Sequence, residues 1–107
     1  MENRKMHLIQ CFLPLYDNEK KKFPHSMYAA ECRTLREEFG GLTVYTRSPA
    51  SGLWEDREDG TMHDDLIIYE VMAENLDREW WRNYRRHLED RFRQERMIIR
   101  AHAIELL

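Results

Sequence analysis

The chain has 107 residues and a mass of 13.1 kDa, the size of a single domain, so we expect one domain over residues 1–107. Hydrophobic residues make up 42% and charged residues 35%, a balance that is typical of a globular protein and excludes a fibrous or disordered chain. Seventeen Lys and Arg against twenty Asp and Glu leave a net charge of −3, so no overall positive charge draws the molecule to nucleic acid or anionic lipid.

Two further features bear on the compartment. No apolar run approaches the roughly 20 residues that span a bilayer, so we expect no membrane partner. The two cysteines, Cys11 and Cys32, are too few for the disulfide framework of a small secreted domain, and we expect both to be reduced thiols in a core. We therefore predict a cytoplasmic protein.

The chain begins with a predicted strand and helix. Residues 6–16 are apolar and rich in strand-forming residues, and a charged loop follows them. After Pro24, with Ser26 as the N-cap, apolar residues recur at spacings of four, three and four, which lines one face of a helix. Gly40 is expected to end this helix in a left-handed conformation.

Two strands joined by an acidic turn are predicted next. Residues 42–47 alternate with the period of a strand, and a segment containing proline and glycine is expected to bend that strand before Trp54 resumes it. Residues 55–65 carry six carboxylates around an Asp-Gly pair, which suits a hairpin turn. Residues 66–73 are apolar except for Glu70, as in a central strand buried on both sides.

A second helix and a last strand complete the pattern. Asp77, or Asn75 before it, is placed to cap the helix. The apolar face of this helix is predicted from spacings of three, four and four between Trp81, Tyr84, Leu88 and Phe92. Residues 97–107 alternate as a strand. The order β-α-β-β-α-β predicts the α+β class and a ferredoxin-like sandwich, in which a four-stranded antiparallel sheet carries two helices on one face.

The alternation along the strands divides the sheet residues into two sets. The set expected to face the helices is small and branched, and comprises Ile9, Cys11, Leu13, Leu42, Val44, Ile67, Tyr69, Val71, Ile99, Ala101 and Ala103. The opposite set mixes large apolar and polar side chains, and comprises Leu8, Gln10, Phe12, Thr43, Tyr45, Arg47, Leu66, Ile68, Glu70, Met72, Ile98, Arg100, His102 and Ile104. We call the surface formed by this second set the open face.

The open face is too apolar to remain in contact with water in an isolated chain, because apolar patches beyond a few hundred Å² usually mark interaction surfaces. At roughly 25 cal/mol per Å², covering about 600 Å² contributes on the order of 15 kcal/mol before the costs of association. A second copy of the chain is the simplest cover. We therefore predict a homodimer with Phe12, Ile68 and Met72 at its interface.

By topology and by this two-sided strand pattern, nearly the whole chain resembles the dimeric α+β barrel group of ferredoxin-like proteins. The resemblance implies two sheets packed face to face. The group includes small monooxygenases, lactone isomerases and stress-induced proteins, and no diagnostic motif links the chain to one of them. The string GGLTVYTR at residues 40–47, followed by GLW at 52–54, is also similar to uncharacterised small bacterial proteins and implies no activity.

Glu70 is the most informative polar residue, since a carboxylate in a nearly apolar strand needs a partner or a proton. Gln10 should be its neighbour on the open face, and Arg47, Arg100 or His102 could supply a cation. One interpretation makes Glu70, Arg100 and His102 catalytic, with a ligand held by Gln10, Tyr45, Arg47 and Trp54. The other is an ion pair or a polar spot at a subunit interface.

Other chemistry is less strongly indicated. Neither the His and Cys spacings nor the register of the acidic turn matches a metal site, so we expect no metal and no cofactor. Arginines accompany Trp80, Trp81 and Tyr84 on the second helix, a mixture that can bind single-stranded nucleic acid. Carboxylates offset five of the seven arginines, and several of these pairs are four residues apart, as in ion pairs along a helix. Such charge pairing favours a solvated face, so a nucleic-acid partner is not our first expectation.

Three hypotheses of function follow. The leading one is a homodimeric module that binds a ligand or a partner through the open face. The second is a small cofactor-independent enzyme that performs proton transfer or oxygenation on an apolar small molecule beside Glu70. The third is a nucleic-acid-binding protein that uses its second helix.

Overall fold

A computed structural model describes residues 4–47 and 66–107. Its elements are, in chain order, β1 (Arg4–Pro14), α1 (His25–Phe39), β2 (Thr43–Arg47), β3 (Leu66–Ala73), α2 (Arg78–Arg91) and β4 (Ile98–Leu106). The strands form one antiparallel sheet in the order β2-β3-β1-β4, which confirms the predicted ferredoxin-like α+β fold. The predicted acidic turn at 55–65 and the strand continuation at Trp54 lie outside the described residues.

The local sequence explains where the helices begin and end. The predicted cap at Ser26 is wrong, because Pro24 occupies the N-cap position of α1 and no side chain caps the helix. A proline has its φ angle fixed near the helical value and lacks the N–H that a helix start leaves unpaired. Gly40, with a φ of 79°, ends α1 as predicted. The carboxylate of Asp77 caps α2 by accepting the backbone N–H of Trp80 at 3.1 Å.

Both helices cover the same side of the sheet. The core between them and the two central strands contains Ile9, Cys11, Leu13, Tyr28, Leu35, Tyr69, Val71, Trp81, Tyr84, Leu88, Phe92 and Met97. The helix-facing set is thereby confirmed on β1 and β3. On the edge strands it is less covered than expected, since Val44 is 47% exposed and Ala101 and Ala103 are also exposed. The two helices therefore bury the centre of the sheet and leave both edges partly open.

A buried carboxylate joins the two helices. Glu31 on α1 is 2% exposed and accepts a hydrogen bond from the Tyr84 hydroxyl at 2.9 Å. The His87 Nε2 atom lies 3.0 Å from the Oε2 atom of Glu31, and the Arg91 Nε atom lies 3.9 Å from the same oxygen. Burial raises the pKa of Tyr84 and the charge of Glu31 adds to the shift, so the hydroxyl remains a donor. The contacts with Tyr84, His87 and Arg91 explain how the carboxylate of Glu31 is tolerated in the interior.

The aromatic side chains of α2 belong to the core. Trp81 and Tyr84 are each 6% exposed. The Trp80 ring stacks on Tyr84 with centroids 5.1 Å apart, and Phe39 of α1 stacks on Trp81 at 5.0 Å. Trp81 and Tyr84 are therefore covered, and the partly buried Trp80 already stacks on Tyr84, so these rings are poorly placed to stack on nucleic-acid bases. In the part of the chain that the structure describes, no helix is long and apolar enough to cross a bilayer.

Candidate functional site

The strand register gathers polar side chains at the centre of the open face. Gln10 on β1 pairs with Glu70 on β3 and with Arg100 on β4. Tyr45 on β2 pairs with Ile68, two residues from Glu70 on the same strand. Because directly paired residues of antiparallel strands point to the same side, these side chains share one face. We call Tyr45, Glu70, Gln10 and Arg100 the polar row.

Gln10 connects a carboxylate on one side of it with a guanidinium on the other. Its Nε2 donates to Glu70 Oε2 at 2.7 Å, and lies 3.3 Å from the Tyr45 hydroxyl, which accepts a second hydrogen bond from it. Its Oε1 accepts from the Nε of Arg100 at 2.9 Å. Gln10 is only 9% exposed, so these contacts hold the amide in one orientation. The predicted neighbourhood of Gln10 and Glu70 is present.

Tyr45 acts as a donor at the acidic end of the row. Its hydroxyl donates to Glu70 Oε2 at 2.9 Å. That hydrogen bond is the largest cause that raises the pKa of Tyr45, with desolvation and the charge of Glu70 acting in the same direction. The hydrogen bond from Gln10 and the charge of Arg100 oppose the shift without reversing it. The phenol is therefore protonated at neutral pH, and one carboxylate oxygen of Glu70 accepts two hydrogen bonds.

Arg100 forms the basic end of the row. Its guanidinium carbon lies 4.8 Å from the centroid of the Phe12 ring, within the range of a cation–π contact. Arg100 therefore reaches Glu70 through Gln10 and not through a direct ion pair, because β1 lies between β3 and β4 in the sheet. The row consequently presents a negative and a positive end separated by an amide.

Three other predicted site residues lie away from this row. His102 is on the open face and exposed, and its side chain makes no hydrogen bond or ion pair within residues 4–47 and 66–107. Arg47 is the last residue of β2 and pairs with Leu66, whereas Glu70 pairs with the first residue of β2. Trp54 lies outside the described residues. The structure therefore unites Gln10, Tyr45, Glu70 and Arg100 and does not bring His102 to them.

A depression of about 500 Å³ adjoins the acidic end of the row. Met6 on β1 and the open-face residues Leu8, Thr43, Glu70 and Met72 line it. Phe39 at the end of α1 and the residues 40–42 that follow close one side. Arg4 lies at its border, where its guanidinium is paired with Glu74. Strand alternation pointed to the open-face residues. It gave no signal for the end of α1, because a contact between a helix end and a sheet edge follows from tertiary packing.

The open face also exposes large apolar side chains. Tyr45 is 38% exposed, Met72 47% and Ile98 59%. Phe12 is partly buried beneath Arg100, whereas Ile68 is only 2% exposed in the single chain. A substitution at Ile68 would therefore perturb the chain itself, and Met72 is the better position at which to examine an interface.

Metal binding has no evident location in this part of the molecule. Within the two ranges that the structure describes, no group of three or more His, Cys, Asp or Glu side chains is placed to hold a metal ion. Cys11 and Cys32 are both free thiols, Cys11 buried and Cys32 partly buried. The chemistry that the open face offers is therefore hydrogen bonding and charge from the polar row, together with the apolar walls beside it.

Comparison with known proteins bears on the fold. No family model matches the chain, and neither does any curated protein. Among solved structures, the chain is similar to a phage SAM lyase in complex with S-methyl-5'-thioadenosine, with a TM-score of 0.60 and 12% sequence identity. The match covers 94% of this chain and 88% of that chain. At this identity the likeness is one of fold alone.

Proposed function

We propose that the protein binds a small molecule in the depression beside Glu70, and that a second copy of the chain covers the open face. The polar row is the observation that carries this proposal. Gln10 is nearly buried and joins a carboxylate to a guanidinium, and replacing buried polar networks of this kind by apolar residues of similar volume is often neutral or stabilising. Such groups are commonly retained where they serve a site.

The groups around the depression indicate the chemistry of its ligand. Glu70 accepts hydrogen bonds or a positive charge, and Met72 and Leu8 offer apolar contact. A fitting ligand has a hydroxyl, amino or cationic group beside an apolar part. S-methyl-5'-thioadenosine, the ligand of the similarly folded phage SAM lyase, combines nucleoside hydroxyls with an apolar methylthio group. We therefore choose this nucleoside as the first probe.

The charge order of the row supports a second copy as the cover. A two-fold axis that crosses the row near Gln10 would place Glu70 of each copy over the Arg100 of the other. Association would also remove Met72 and Ile98, both about half-exposed, from water. Two sheets packed in this way would have the architecture of the dimeric α+β barrel group.

Isothermal titration calorimetry with S-methyl-5'-thioadenosine tests the ligand site. We expect Glu70→Gln to weaken binding at least about tenfold, since a hydrogen bond to a charged group contributes roughly 1.5–3 kcal/mol. Glu105→Gln, which removes an exposed carboxylate from β4, is the matched control and should bind as the unmodified protein does. Equal affinities of the Glu70 variant and its control would contradict the proposed site.

The observed contacts support the two alternative hypotheses to different degrees. An enzyme that performs proton transfer or oxygenation would use the carboxylate of Glu70 and the phenol of Tyr45. Its first requirement is therefore a ligand bound beside Glu70. Nucleic-acid binding through α2 has less support, because Trp81 and Tyr84 are buried and Trp80 stacks on Tyr84.

A further inference from the structure

A second recess lies on the opposite side of the sheet from the polar row. It is a groove of about 610 Å³ between α1 and the strands β2 and β3. Its floor and walls are mainly apolar and include Tyr28, Leu42, Val44, Ile67 and Tyr69. The volume is within the range of about 300–1,000 Å³ found for small-molecule sites.

Two tyrosines form the floor of this groove, and both are nearly covered, Tyr28 being 7% and Tyr69 1% exposed. The Tyr69 hydroxyl donates to the backbone carbonyl of Tyr28 at 2.8 Å, and the Tyr28 hydroxyl donates to the carbonyl of Pro14. Since both hydroxyls are satisfied within the chain, neither needs a polar partner from a ligand. Val44, at 47% exposure, is an accessible apolar wall. The floor therefore suits a hydrocarbon body.

The charged side chains among the described lining residues of the groove have one sign. Its basic lining residues are Lys22, His25, Arg33 and Arg36, and no Asp or Glu is among its described lining residues. None of these four makes an ion pair within residues 4–47 and 66–107, although the whole chain carries a net charge of −3. Unpaired basic groups around an apolar recess are complementary to an anion.

We propose that this groove binds an anionic amphiphile, namely a small molecule with an unbranched apolar body and a single carboxylate. The body lies along Val44, Ile67 and the tyrosine rings, and the carboxylate meets Arg33 or Arg36 at the rim. Arginine is well suited to this contact, because its planar guanidinium can donate two parallel hydrogen bonds to one carboxylate. The groove lies on the opposite side of the sheet from Glu70 and shares only Leu42 with the described lining of the depression there, so this inference does not depend on the proposed function.

Cys32 provides a reporter inside the groove. It lines the recess and is partly buried, whereas Cys11 is buried and its pKa is raised to about 12, chiefly by desolvation. Iodoacetamide should therefore modify Cys32 first, with Cys11 as an internal reference that stays protected while the chain is folded. The rate of modification, followed by mass spectrometry, is measured with and without decanoate, and with decanol as a probe of equal chain length.

We expect decanoate to slow the modification of Cys32 in a saturable manner, and decanol to require an at least fivefold higher concentration for the same protection. Arg36→Gln should raise the half-protecting concentration of decanoate about fivefold, as expected for one partly exposed ion pair of about 1 kcal/mol. Arg86→Gln, an exposed arginine on α2 outside the groove, is the matched control.

Val44→Glu and Met72→Glu form a second, crossed pair. Both positions are 47% exposed on strands, but only Val44 lines the groove. Val44→Glu should abolish protection by decanoate and Met72→Glu should preserve it. Protection by decanol equal to that by decanoate would overturn the anionic assignment. Absence of protection by decanoate, or its loss in Met72→Glu but not in Val44→Glu, would overturn the site.

Discussion

Replacing the buried carboxylate of Glu31 by leucine should destabilise the protein, because the Tyr84 hydroxyl then lacks its acceptor. An unsatisfied buried hydroxyl costs about 1–3 kcal/mol. The contacts with His87 and Arg91 add less, since those side chains are 51% and 45% exposed, and each is discounted to about 0.5 kcal/mol. The free energy of unfolding should therefore fall by about 2–4 kcal/mol in Glu31→Leu.

Urea unfolding followed by tryptophan fluorescence measures this loss, since the core residue Trp81 stacks on Phe39 only in the folded chain. Adding Tyr84→Phe removes the orphaned hydroxyl and should restore about 1–3 kcal/mol, because replacing both partners of a buried polar pair can be nearly neutral. A cost below about 0.5 kcal/mol for Glu31→Leu, or no recovery in the double variant, would show that the Tyr84 hydroxyl does not depend on Glu31 in the folded chain.

Two further predictions concern stability. Above pH 9 the free energy of unfolding should fall. The unfolded chain loses the proton of Cys11 near the ordinary pKa of 9, whereas in the folded chain this pKa is raised to about 12. At 1.36 kcal/mol per pKa unit, the loss of stability from this group approaches about 4 kcal/mol at pH 12. Cys11→Ala should delay that decline, and an unchanged pH profile would contradict it. Leu88→Ala, at a fully buried position, should lower the free energy of unfolding by about 2–5 kcal/mol. Ile98→Ala, at an exposed position, should lower it by only about 0.5 kcal/mol. Equal losses in chemical denaturation would argue against the described core.

The fold was largely predictable from periodicity, but the limits of the strands were not. The third strand was predicted at 66–73 and is observed at Leu66–Ala73, because its apolar run stops sharply at charged residues. The first strand was predicted at 6–16 and is observed at Arg4–Pro14. Its start is set by pairing of Arg4 with Leu106 on β4, and such partner-dependent limits are not encoded in local composition.

The candidate site was predictable where it depends on strand alternation alone. Parity and strand order were enough to place Gln10 beside Glu70. The position of Gln10 between Glu70 and Arg100 emerged only from the register of three strands. The importance of Glu31 was missed, because it lies beside the apolar stripe of α1, and its burial depends on how closely α2 packs against it.

Sedimentation equilibrium is the most direct test of the claim that the open face is covered by a second copy. We expect a dimer for the unmodified chain. Met72→Glu should weaken association at least about tenfold, because it places a new charge in an apolar contact. Val44→Glu, at the same 47% exposure on the helix side of the sheet, should associate normally. A monomeric unmodified chain, or equal effects of the two substitutions, would show that a second copy does not cover the open face.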